Sequence, residues 1–110
     1  MNARTKLLNP TRLIRSIVRE RDSWDGACCC VVCGCAETVY NHLDVAHVIA
    51  RSQGGMAVEE NLVMLCRKDH DLFDHGGPGD RETMRRIIRE YLDWKYPDRD
   101  ESLLTYRKEY

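Results

Sequence analysis

The chain has 110 residues, a net charge of −1, 43% apolar residues and a single phenylalanine. That length suits one domain with a modest core, a size at which a structural metal often serves as a staple. The near-neutral charge excludes a protein held on nucleic acid by bulk charge, so any such role must rest on local patches. No apolar run approaches the ~20 residues of a membrane span, so no membrane partner is expected. The start, MNARTKLLNPTR, lacks the apolar stretch of a signal peptide, and a cytoplasmic setting is expected. There, six cysteines argue for thiolates rather than disulfides.

Residues 1–10 are polar and end in Asn9-Pro10, a breaker. Thr11 is placed to cap a helix over residues 11–22, with Leu13, Ile14, Ile17 and Val18 as its apolar stripe. Ser23-Trp24-Asp25-Gly26 ends it as a turn. Residues 37–50 read as a short strand or hairpin, and Ser52 to Ala57 as a glycine-bearing loop. Leu62 to Leu65 forms a second strand, and Cys66 leads into a helix that Gly76-Gly77-Pro78-Gly79 stops. Asp80 caps a last helix with Met84, Ile87, Ile88, Tyr91 and Leu92 on one face, closed by Pro97. The tail turns through Leu103 and Leu104.

Two constellations carry chemistry. Zinc takes four tetrahedral ligands, and CxxC knuckles supply them in pairs. Cys30-Val-Val-Cys33-Gly34 is one such knuckle, and Cys66-Arg-Lys-Asp69 has the spacing of a second. The predicted zinc set is therefore Cys30, Cys33, Cys66 and Asp69, with Cys28, Cys29 or Cys35 as substitutes for the carboxylate. A redox reading of Cys30 and Cys33 needs a thioredoxin-like βαβ context, which the surrounding pattern does not provide.

The second constellation is catalytic. His70 and Asp74 lie four residues apart on a predicted helix, so both project from one face and can share a divalent cation. His47 approaches from the adjoining strand, and an imidazole can take a proton from an attacking water. Asn61 can pin the Gly54-Gly55 loop or ligate the metal, and Arg51 can reach a phosphate. Other candidate phosphate contacts are Arg12, Arg15, Arg19, Arg21, Arg81, Arg85, Arg86 and Arg89.

The runs CVVCG, DVAHVIARSQGG and EENLVMLCRKDHDLFDHG resemble an HNH endonuclease of the zinc-containing type common in phage genomes. The resemblance spans residues 30–75 and extends to the flanking helices. It implies an α+β fold: a small ββα-metal (His-Me finger) core over 27–79, with a zinc knuckle. Flanking helical segments would cover 1–26 and 80–110 of one compact domain. It also implies DNA phosphodiester hydrolysis with Mg2+ or Mn2+, in which His47 is the general base and Asn61 the middle asparagine. His70 and Asp74 would be the metal ligands. The phage setting implies a packaging partner such as a terminase.

Two positions depart from the pattern. Ala46 stands where many HNH enzymes have a metal ligand, and Asp44, roughly 6.6 Å further along the strand, is expected to be a poor replacement. Asp69 stands at the usual zinc cysteine. The alternative reading is a catalytically weakened zinc module that binds DNA or a protein.

Overall fold

A computed structural model describes residues 7–106. They form three α-helices, α1 (Arg12–Arg21), α2 (Arg67–His75) and α3 (Pro78–Lys95). Two small antiparallel sheets pair β1 (Ser23–Trp24) with β2 (Ala27–Cys28) and β3 (Leu43–His47) with β4 (Leu62–Cys66). This is the α+β arrangement expected, with the ββα unit β3-β4-α2 at its centre.

Helix α1 starts where Thr11 Oγ1 accepts a hydrogen bond from the Ile14 amide. Of its predicted stripe only Val18 is fully buried, whereas Leu13 is 69% exposed, so the helix rests on the core by one edge. Beyond it, Asp25 and Gly26 both take positive φ, and the expected simple turn is a two-residue hairpin pairing Ser23 with Cys28. Helix α3 begins at Pro78, two residues before the expected Asp80 cap. Proline's missing N–H costs nothing in the first turn, where that group has no intrahelical partner.

Strand β4 is buried along its whole length, matching its unbroken apolar run. Its residues, with Val18, Leu43, Ala46, Phe73, Met84, Ile88 and Leu92, make the core. The β3–β4 register runs from Leu43 opposite Cys66 to His47 opposite Leu62. That register sets the site: the chain leaves β4 beside the start of β3 and turns directly into α2.

A polar latch ties α1 to this core. Asp22 accepts hydrogen bonds from the Met64 amide and the Tyr91 hydroxyl, and from the guanidinium of Arg21. Arg21 also donates to the carbonyls of Glu59 and Leu62 and lies over the rings of Tyr91 and Tyr96. With 9% of its side chain accessible, Arg21 is spent on the fold and is withdrawn from the phosphate candidates. Among the described residues, no helix is long and apolar enough to cross a membrane.

Candidate active site

The cysteine cluster is built by a backbone turn. The Gly34 amide donates to the Cys30 carbonyl, and the Cys30 amide donates to the Cys35 carbonyl, closing a loop whose αL residue is Gly34 (φ 78°). The Val31 amide then bonds the Met64 carbonyl, which docks the turn on β4 near Cys66. As a result the sulfurs of Cys30, Cys33, Cys35 and Cys66 all lie within 4.8 Å of one another. The Cys33–Cys66 separation is 3.9 Å. A tetrahedral ion with metal–sulfur bonds of about 2.3 Å places its sulfurs about 3.8 Å apart, so this donor set fits a zinc ion.

The fourth donor that converges is Cys35, not the expected Asp69. Asp69 stands beside the cluster, its carboxylate accepting from the Cys30 thiol at 3.2 Å. The physical reason is the turn: closing Cys30 onto Cys35 brings a fourth sulfur in, and the CxxC-like spacing at 66–69 is not needed. Burial pushes up the thiols of Cys30, Cys33 and Cys66, helped by the Asp69 carboxylate and, at Cys33, first by the Cys35 side chain. Metal capture here would therefore release protons.

On the other side of β3, two adjoining hollows of about 490 and 420 Å³ share Arg15, Val45, His70 and Asp74. The second also contains His47 and Arg51, so the structure brings together the predicted base, both predicted cation ligands and the predicted arginine. His70 Nε2 and Asp74 Oδ2 are 3.3 Å apart. Adjacent ligands of an octahedral magnesium ion with bonds of about 2.1 Å are separated by about 3.0 Å, so the pair can share one such ion.

His47, at the end of β3, is oriented by the chain ahead of α1. Its Nε2 lies 2.9 Å from the Leu8 carbonyl. A carbonyl only accepts, so Nε2 carries the proton and Nδ1 keeps the free lone pair. Burial lowers its pKa from the ordinary value of 6.5, and the nearby charges of Arg51, Arg15 and His70 lower it further, against the Leu8 hydrogen bond. The ring is thereby held neutral, the state a base requires.

Asn61 is fully buried. Its Oδ1 accepts from the Ile49 amide at 2.8 Å, and its Nδ2 donates to the carbonyls of Ile49 and Met56. Of the two roles open to it, this buried, hydrogen-bonded geometry serves loop pinning. The loop it pins passes so close that a Cβ on Gly55 would sit 1.8 Å from the Ile49 carbonyl oxygen. Arg51, in the same loop, donates to Asn9 Oδ1 at 2.7 Å.

Three features went unrecognised in the sequence. Ala46 points into the apolar core, so a ligand there would have to be buried. Asp44, set aside on distance along the strand, reaches His70 directly, with Oδ2 3.1 Å from Nδ1. The spacing Asp-x-Ala-His was the available signal. Arg67 pairs with Asp44 at 3.0 Å and joins Arg15 and Arg19 around the first hollow.

Residues 30–72 match the family model described as HNH endonuclease. The matched span runs from the first knuckle cysteine past His70 and stops short of Asp74. Comparisons with curated proteins and with solved structures give no match.

Proposed function

We propose that the protein is a metal-dependent DNA endonuclease that hydrolyses phosphodiester bonds. The observation that carries this reading is the placement of His47, His70, Asp74 and Arg51 around one hollow, within a chain whose residues 30–72 match the HNH model. Arg15, Arg19 and Arg67 line the neighbouring hollow together with Asp44, Asp71 and Asp74. Such arginines position a duplex by its phosphates without reading sequence.

In this reading His47 Nδ1 accepts the proton of the attacking water, while Leu8 holds the ring from behind. His70 and Asp74 hold a divalent cation, Mg2+ or Mn2+. When bound, that ion offsets negative charge on the scissile phosphate and the leaving oxygen. Asn61 keeps the loop that carries Arg51 at a fixed distance from β3. Cys30, Cys33, Cys35 and Cys66 hold zinc and fix the knuckle against β4. The phage setting, with a terminase as partner, rests on the resemblance of the motif runs alone.

Incubating the purified chain with supercoiled plasmid and Mg2+ or Mn2+ tests the proposal. Nicking that EDTA stops is expected. Intact plasmid under every divalent ion tried would overturn the enzyme reading in favour of a non-catalytic zinc module.

A further inference from the structure

The two ring nitrogens of His70 face different carboxylates. Nδ1 is 3.1 Å from Asp44 Oδ2, and Nε2 is 3.3 Å from Asp74 Oδ2. The nitrogens lie on separate edges of the imidazole, so one cation can be bound by only one of them. A neutral imidazole carries one N–H and one lone pair, and whichever carboxylate accepts the N–H decides where the lone pair points.

The surroundings distinguish the two carboxylates. Asp44 is 18% accessible and its oxygens are engaged. Oδ2 also receives Arg67 Nε at 3.0 Å, while Oδ1 faces Arg67 Nη2 at 3.3 Å and His42 Nε2 at 3.4 Å. Ligating a metal would require Asp44 to give up these partners. Asp74 is 51% accessible and lines the hollow that holds His47, which Asp44 does not.

We infer that Asp44 is a positioning residue. It accepts the Nδ1 proton of His70 and so turns the Nε2 lone pair toward Asp74 and the shared cation. Arg67 holds Asp44 Oδ2 from the side away from the hollow that contains His47. The inference rests on the nuclease reading for the identity of the cation, but the ring orientation stands apart from it. It also accounts for Ala46: with that position in the core, ligand geometry is secured from the far edge of His70 instead of from the residue before the base. Hydrogen-bond partners of this kind change metal affinity by about 10–100-fold when removed.

Long-range 1H–15N correlation of the histidine rings reads the orientation directly. The spectrum is taken on the full chain without divalent cation at pH 8.5, where an ordinary imidazole is neutral. The His70 signals are identified by their loss in His70→Ala. Wild-type His70 is expected as the Nδ1–H tautomer, and Asp44→Ala is expected to lose that preference. An Nε2–H ring in the wild type overturns the inference without any variant.

Mn2+ affinity, followed by the EPR signal of the free ion, supplies the second readout. Asp44→Ala should weaken binding about 10–100-fold. It should have no further effect in a His70→Ala background, because Asp44 acts through that ring. Additive losses in the double variant would mean that Asp44 ligates the ion itself, and would overturn the positioning role. Asp44→Asn, which keeps the shape and an acceptor oxygen, should fall between wild type and Asp44→Ala. Failure of wild-type protein to bind Mn2+ at all would overturn the nuclease reading while leaving the tautomer result to decide Asp44.

Discussion

The cysteine cluster and the histidine site both adjoin the β3–β4 sheet yet are built on opposite principles. The four sulfurs already converge, held by backbone hydrogen bonds in a turn docked on β4. At the other site Asp74 is half-exposed, His70 less so, and the carboxylates of Asp44 and Asp74 flank a single ring from two sides. The closed, soft cluster resembles structural metal sites, which leave no position for a substrate. The open, hard-donor site leaves room for water and phosphate oxygens, as hydrolytic magnesium sites do. On the proposed reading, stability and chemistry are thereby separated across one β-hairpin.

The sharpest way to break this comparison is to remove a sulfur. Cys35→Ser should abolish stoichiometric zinc and the cooperative thermal transition. Structural zinc supplies apparent binding energies of about 10 kcal/mol or more, which exceeds what a core of this size can replace. Asp69→Asn should keep the zinc. Elemental analysis with circular-dichroism melts checks both, and zinc loss in Asp69→Asn with retention in Cys35→Ser would reverse the assignment of the fourth ligand.

On the catalytic side, His47→Ala should lower plasmid nicking by about 10²–10⁴-fold, the usual contribution of a general base. Its melting curve and zinc content should match wild type. Equal nicking rates would remove His47 from the chemistry.

Asn61 joins the two halves of the comparison, since it is a buried structural residue that shapes the active loop. Asn61→Ala strands the Ile49 amide and the carbonyls of Ile49 and Met56. Each buried unpaired group costs about 1–3 kcal/mol, so a loss of roughly 3 kcal/mol or more is expected in urea unfolding. Zinc should remain bound. A change within 0.5 kcal/mol, the usual range of neutral surface substitutions, would show that the loop holds without it.

The smallest expected effect is on pH. As the proposed base His47 must be neutral, and its pKa lies below the ordinary 6.5. The rate should therefore be flat above that value and fall about tenfold per unit once pH drops below the lowered pKa. A midpoint at or above 6.5 in a pH–rate profile would contradict the burial and the arginine charges that surround the ring.

Much of the fold was legible because periodicity reports burial. The apolar run at 62–65, the stripe on α3 and the capping Thr11 each have a local cause, and each element formed where its pattern lay. His70 and Asp74 were legible as one helix face from their spacing, whereas the hollow that also holds His47 is a product of packing. Leu13 and Arg21 misled because a residue's type does not say whether its helix face meets the core: the leucine is exposed and the arginine is buried.

The sequence by itself determined which residue types were present and which shared a helix or strand face. Tertiary structure alone decided which donors meet. Cys35 enters the cluster because a turn closes on itself through the Cys30 amide, a contact invisible to spacing counts. Asp44 reaches His70 because the antiparallel register sets it opposite Leu65, one residue before Cys66, so α2 rises directly over it. Distance measured along a strand said nothing about this, since the relevant neighbour lies across the hairpin on the following helix.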